Sequence, residues 1–441
     1  MTTVAAFAYP WDILGDSGAP ARLRSLGADT AVLAAAYHST TAVTPWHPVH
    51  RVIRAPHSAV YYPPDPERWG GEGGMGGGGG LGGGGGLGGA KLRPVAQSWC
   101  ETADAYGHAA SQLRAAGLDV HAWVVLAHNS RLAQAHPEHA VLNAYGDYYG
   151  WALCIAQPEV RRYGATLAAE AAAQPGTGGV ELEACGWYGM AHLHAHDKTG
   201  GIPFREAGQY LMSLCFCPAC RDGYAARGAN PGRLRVAVRD ALEPLWRGEP
   251  GGDAGGGRDG DDWAAVQALL GVELANATLR HRLAAAGEFQ HEVIAAVRAQ
   301  AGHACRIVLH ADPVPYRTGA NPGVVAGDVL VAGDGLARAD GLVVQAGSVP
   351  RALPLPPGAV LASSHPIVSA MGGDPDVVPP AGATEIRLYH PGLASGQDLR
   401  TAAAAVARYR AGRPSRPAPA GTPPRDAPPC DPPPVIPAVT T

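Results

Sequence analysis

Apolar runs of five to eight residues recur along the chain, separated by longer stretches with helical periodicity. The runs cover residues 4–9, 30–37, 120–126, 180–184, 305–312, 341–345, 358–362 and 385–390. Short continuous apolar runs of this kind predict strands buried on both faces. Helices are predicted over residues 20–27, 98–117, 157–173, 222–245, 263–301 and 398–412. Pro20 and Pro158 stand at helix starts and Gly27 just past an end, where each residue type is least disruptive. Residues 39–69 read as a long loop. Eight strands alternating with helices is the pattern of an α/β protein of the (β/α)8 TIM-barrel class. A doubly wound open sheet is the runner-up, but no Gly-rich phosphate fingerprint follows the first strand. The interval between the seventh and eighth strands is too short for an ordinary helix.

Composition refines this outline. The 441 residues include 60 Gly and 40 Pro, and both are clustered. Residues 70–89 and 248–262 read as Gly-rich low-complexity insertions, and residues 413–441 as a disordered Pro-rich tail. The expected organisation is a barrel domain over residues 1–412 followed by that tail. A net charge of −4 gives no reason to expect nucleic acid or an anionic membrane as partner. No apolar run reaches membrane-spanning length. The first residues lack a basic segment followed by a long apolar one, so a cytoplasmic setting is expected. Eight Cys in 441 residues do not make a disulfide scaffold, which favours metal binding for any tight cluster of them.

The chemistry gathers at strand ends. Asp12, His38, His128 with Asn129, Glu181 and Glu183, His310 with Asp312, Gln345 and His390 all lie at or just past the end of an apolar run. In a (β/α)8 barrel those ends converge on one rim, where active sites form. Glu181 and Glu183 are two apart and share one strand face. Cleaving a glycosidic bond needs one carboxylic acid to protonate the leaving oxygen and a second carboxylate as nucleophile or base. Glu183 is the better acid/base candidate, with Glu181 or Asp312 as its partner. Trp187 and Tyr188, like Trp11 and Trp46, could stack on sugar rings. His192, His194 and His196 form a second cluster, suited to substrate binding or to a catalytic metal. Cys215, Cys217 and Cys220 have the spacing of a structural zinc site. Cys185 is the expected fourth ligand, with Cys154 and Cys100 as alternatives. No organic cofactor is expected.

Several of these stretches together resemble a family of glycoside-hydrolase-like (β/α)8 proteins found in actinobacteria. They are Glu181-Leu-Glu183-Ala-Cys-Gly-Trp-Tyr-Gly, the His192 to Lys198 cluster, Leu214-Cys-Phe-Cys-Pro-Ala-Cys220, Cys154-Ile-Ala-Gln-Pro-Glu-Val-Arg161 and Leu388-Tyr-His-Pro-Gly-Leu393. The chain is more distantly similar to clan A β-galactosidases. The likeness covers roughly residues 4–412, the insertions excepted. It implies an acid/base Glu at the end of the fourth strand, matched by Glu183. It also implies a zinc site soon after, matched by Cys215, Cys217 and Cys220. Those enzymes keep a nucleophilic Glu at the end of the seventh strand, and Ala359 to His365 holds no carboxylate. The expected function is a cytoplasmic glycoside hydrolase-like enzyme acting on a carbohydrate. The alternatives are a metal-dependent hydrolase built on His192, His194 and His196, and a non-catalytic carbohydrate-binding barrel.

Overall fold

The computed structural model describes residues 3–69, 92–190, 198, 201–202, 204–249, 262–323, 339–348 and 358–412. His192, His194 and His196 lie outside the described residues, as do residues 70–89, most of 248–262 and all of 413–441. Eight strands form the centre: β1 (Thr3–Ala8), β2 (Thr30–Tyr37), β3 (Asp119–Val125), β4 (Gly179–Glu183), β5 (Arg306–His310), β6 (Gly341–Gln345), β7 (Val360–Pro366) and β8 (Glu385–Tyr389). Each pairs in parallel with the next, and β8 pairs with β1 to close the ring. This is the expected (β/α)8 barrel, and the open sheet is excluded. Burial explains the composition of the strands: β2 is buried at every one of its eight positions, as a sheet covered on both faces requires.

The inward face follows from contacts between strands that are not neighbours. Arg387 of β8 reaches Glu181 of β4, and Arg306 of β5 reaches Glu385 of β8. Both bonds must cross the barrel interior. Strand register then carries the assignment round the ring, because paired residues share a face. Ala5 and Phe7, His121 and Trp123, Glu181 and Glu183, Val308 and His310, Val343, Ala362 and Ser364, Arg387 and Tyr389 all point inward. Val308, Val343 and Ala362 form a small apolar cluster of their own, apart from the main core between strands and helices. The rest of the interior is unusually polar. Gly179 makes room for it: a Cβ there would stand 2.8 Å from the His121 ring.

The helices are less regular than the periodicity suggested. The first long helix is Ala105–Ala115, shorter than the predicted 98–117. The predicted 222–245 helix is two helices, Pro218–Ala225 and Pro231–Trp246. The predicted 263–301 helix also divides, at Gly271, into Asp262–Leu270 and Val272–Ala301. Each break falls at turn chemistry, Asn230-Pro231 and a positive-φ Gly271. Among the described residues no α-helix follows β5, β6 or β7, and between β7 and β8 stands only the 3-10 turn Ser369–Met371. Strand β7 runs to Pro366, four residues beyond its expected end. Residues 39–69, expected as loop, contain the hairpin Thr40–Val43 with Val52–Ala55, and Ala59–Val60 adds antiparallel to β2. A second hairpin, Ala140–Leu142 with Tyr148–Leu153, follows β3. No helix of the described residues is long and apolar enough to cross a membrane.

Candidate active site

Glu183 ends β4 and is the carboxylate at the centre of the barrel mouth. Its Oε2 accepts from the Trp123 indole N–H at 2.7 Å and from the Tyr389 hydroxyl at 3.2 Å. Its side chain keeps 16% exposure, enough to meet a ligand. The next residue, Ala184, has φ 61°, and His390, which follows Tyr389, has φ 62°. These are the non-glycine residues with positive φ among the described residues. Such backbone costs about 1 kcal/mol or more and persists where the surroundings impose it, often at functional sites. Both lie one residue past an interior strand end, flanking the carboxylate and its phenol donor.

Aromatic and imidazole rings line the mouth. Tyr9 OH lies 3.0 Å from Tyr37 OH and 3.3 Å from His390 Nδ1. Tyr37 stacks on His38, whose ring centroid is 4.4 Å from that of His128, and His128 stacks on Tyr188. Tyr188 OH lies 3.1 Å from His128 Nδ1. Burial, and after it the nearby Glu183 charge, raises the pKa of both Tyr37 and Tyr389, so these phenols stay protonated donors. Burial lowers His390 to about 4, with His38 adding to the effect, which leaves His390 neutral at physiological pH.

Below the mouth runs a ladder of charges. Arg387 Nε lies 2.7 Å from Glu181 Oε1, and Arg387 Nη1 lies 3.0 Å from Glu385 Oε2. Arg306 Nη2 holds the other Glu385 oxygen at 2.7 Å. His121 stands 3.8 Å from Glu181. His310 spans the two levels, with Nε2 at 3.5 Å from Glu181 and Nδ1 at 4.0 Å from Glu183. Burial alone would raise the pKa of Glu181. The Arg387 charge and the hydrogen bonds of His121 and His310 outweigh it and hold that carboxyl well below the usual range. Glu181 is therefore an ionised member of a buried network, fully covered and one layer beneath the mouth.

The other expected residues are distributed unevenly. His38, His128, Tyr188, His310 and His390 converge on the mouth. Asp312, two residues past the end of β5, bridges to Gly323, accepts from Val314 N at 2.8 Å and lies 3.7 Å from Arg317. Burial raises its pKa. Gln345 ends β6 exposed on the rim. Asp12 closes its own turn by accepting from Tyr9 N, and its carboxyl packs against Gly392. Asn129 caps the helix Ser130–Ala135 and donates to Tyr163, so its amide serves the scaffold. Trp187 points at the Val272–Ala301 helix, donating to the Arg282 carbonyl at 2.8 Å. Tyr9, Tyr37, Trp123, Arg387 and Tyr389 escaped the sequence reading. The signal for three of them was available, since Trp123 shares a period-two face with His121, and Tyr389 with Arg387.

The cysteines form a separate centre. The sulfurs of Cys154, Cys215, Cys217 and Cys220 all lie within 4.8 Å of one another, and all four residues are buried. Cys154 Sγ stands 3.6 Å from Cys217 Sγ and 3.5 Å from Cys220 Sγ. Tetrahedral zinc with bonds of about 2.3 Å requires sulfurs roughly 3.8 Å apart, so the donor set and spacing fit. Backbone N–H groups of Leu142 and Cys217 point at Cys215 Sγ, the usual outer support of such a centre. Cys185, the expected fourth member, is not in the group. It directly follows Ala184 and is buried under the mouth, where burial and then Glu183 raise its pKa. The cluster joins the hairpin after β3 to the helix Pro218–Ala225. The same hairpin ties Trp151 to the Gly189 carbonyl and pairs Ala152 with His128, so it sets one wall of the mouth.

No protein-family model and no curated protein matches the sequence. Among solved structures the chain is similar to α-L-fucosidase isoenzyme 2 from Paenibacillus thiaminolyticus, at 10% identity and a TM-score of 0.44, covering 93% of this chain and 49% of that one. It is similar to the PgaB (BpsB) glycoside hydrolase domain from Bordetella bronchiseptica, at 11% identity and a TM-score of 0.48, covering 92% and 98%. It is also similar to the catalytic domain of β-amylase from Paenibacillus polymyxa, at 11% identity and a TM-score of 0.49, covering 94% and 99%. The chain spans about half the length of the fucosidase.

Proposed function

We propose that the protein is a glycoside hydrolase-like enzyme with Glu183 as its general acid/base. The observation that carries this reading is the placement of Glu183. It is a carboxylate at the end of β4, clamped by an indole N–H and a phenol, reachable from the mouth and followed by a left-handed Ala184. Two donors on one oxygen fix the carboxyl and leave the other oxygen to face a substrate. Glu183 would protonate the leaving oxygen of a bound glycoside while the surrounding tyrosines and histidines hold sugar hydroxyls. Asp312, two residues past the end of β5, is the proposed second carboxylate, and it would direct water at the anomeric carbon. Glu181 is assigned to the ladder that supports His310 and Glu183 from below.

In the same reading Cys154, Cys215, Cys217 and Cys220 bind one structural Zn2+, far enough down the loops to fix the mouth wall without touching substrate. Cysteines without a disulfide among the described residues fit a reducing, cytoplasmic setting. The test is a screen of the purified chain against aryl glycosides and oligosaccharides. Turnover lost in both Glu183→Gln and Asp312→Asn, with folding intact, supports the assignment. Turnover that survives Glu183→Gln removes it.

A further inference from the structure

Arg282 lies in the middle of the helix Val272–Ala301 and is only 4% exposed. Its guanidinium carbon is 4.6 Å from the Tyr210 ring centroid and 5.5 Å from that of Trp187. Tyr210 is held in place by a 2.9 Å contact with Thr278 Oγ1, and Trp187 by its bond to the Arg282 carbonyl. Among the described residues neither Nη1 nor Nη2 of Arg282 has a hydrogen-bond partner. A guanidinium stays charged in any ordinary medium. Burying one without an anion is expensive, and ring faces attract the cation without accepting its N–H bonds. A guanidinium can meet a planar carboxylate with two parallel bonds.

The surroundings share the same deficit. Gly186 N donates to the Ala320 carbonyl and Gly319 N to the Trp187 carbonyl, so the loop after β5 lies on the loop that follows Glu183. Gly186 allows this approach, since a Cβ there would meet backbone at 2.6 Å. In that loop the buried Thr318 Oγ1 and Asn321 Oδ1 also have no partner among the described residues. Trp263 packs on Tyr210 and stacks on Tyr316, closing the aromatic surround. Among the described residues, a buried guanidinium and, on the neighbouring loop, a hydroxyl and an amide oxygen lack hydrogen-bond partners, and an anionic, hydroxyl-bearing ligand would satisfy such groups.

We propose that Arg282 anchors the carboxylate of an acidic saccharide of the uronic-acid type, with the 316–321 loop taking its hydroxyls. The identification of the ligand as a sugar rests on the proposed glycosidase function; the anion site itself does not. The experiment measures thermal stabilisation and calorimetric binding of the full chain with sodium glucuronate, glucose and inorganic phosphate. Glucuronate should bind and raise Tm where glucose at equal concentration does not. Arg282→Lys keeps the charge but loses the fork and should bind glucuronate about 10-fold more weakly. Arg282→Met should abolish the effect while leaving the ligand-free Tm unchanged or higher, because a buried unpaired charge has been removed. Phosphate binding more tightly than glucuronate overturns the carboxylate assignment. A lower ligand-free Tm in Arg282→Met, with no glucuronate binding by the native protein, would show that the guanidinium is already satisfied within the chain and overturn the site. Absent turnover with Arg282-dependent glucuronate binding intact would count against the glycosidase reading alone. Turnover with glucuronate and glucose indistinguishable in binding would count against this inference alone.

Discussion

Replacing Arg387 by Met tests how far the barrel interior depends on its ladder of charges. The side chain is 1% exposed and touches two carboxylates, Glu181 at 2.7 Å and Glu385 at 3.0 Å. Methionine fills similar volume but cannot pair with either. Glu385 keeps Arg306 as partner, whereas Glu181 keeps only the weaker contacts to His121 and His310. One buried carboxylate is thus left nearly uncompensated. Breaking a buried pair from one side costs about 3–5 kcal/mol. In a chain of this size that corresponds to a Tm drop of roughly 3–7 °C. The pH dependence gives the sign. In the native protein the depressed pKa of Glu181 contributes stability that is present above its unfolded value and lost as pH falls through the folded one. Without Arg387 the buried Glu181 takes up a proton more readily folded than unfolded, so the gap between variant and native protein should narrow at pH 4.5. The double variant Glu181→Gln/Arg387→Met should recover much of the loss, because the orphaned charge is gone. Far-UV circular dichroism melts at pH 7.5 and 4.5 measure all of this. A single variant within about 1 kcal/mol of native, or a double variant no better than the single, would refute the reasoning.

Three further outcomes are expected. Cys154→Ala should lose bound zinc in elemental analysis and melt at lower temperature, whereas Cys185→Ala should keep one zinc per chain; equal loss in both would dissolve the four-sulfur assignment. Asp12, raised to about 7 by burial, favours its neutral form in the folded state. Its contribution is therefore full below the unfolded pKa and falls away as pH rises to about 7, by roughly 4 kcal/mol, so Asp12→Asn should flatten the stability profile between pH 4 and 8, and an unchanged profile would contradict the shift. Ala184→Gly relieves the positive φ and should add about 1 kcal/mol of stability while slowing turnover, if the strain serves to aim Glu183; faster turnover would show that it does not.

The barrel was legible because strands covered on both faces are written as continuous apolar runs, and eight such runs are hard to pack otherwise. The rim was legible in part. Glu183, His38, His128, His310 and His390 stand where an apolar run stops, and that is a one-dimensional signal. Asn129 and Asp12 give the same signal yet cap turns, because helix starts and strand ends use the same polar residues. Which Cys joins the cluster was not legible. Cys154 lies 61 residues before Cys215, and only the hairpin after β3 brings them together. Cys185 is nearer in sequence but ends up under the mouth. The interior pairing of Glu181 with Arg387 spans 206 residues and opposite walls of the ring, so it could be known only after closure.

If Glu183 supplies a proton to a departing sugar oxygen, its importance must depend on how much protonation the leaving group needs. Native and Glu183→Gln proteins would be compared on one series of aryl glycosides, from nitrophenyl to alkyl-like leaving groups. Glu183→Gln should lose about 100-fold or more on poor leaving groups, shrinking towards none as the leaving group needs less protonation. A uniform loss across the series, or no loss at all, would contradict it.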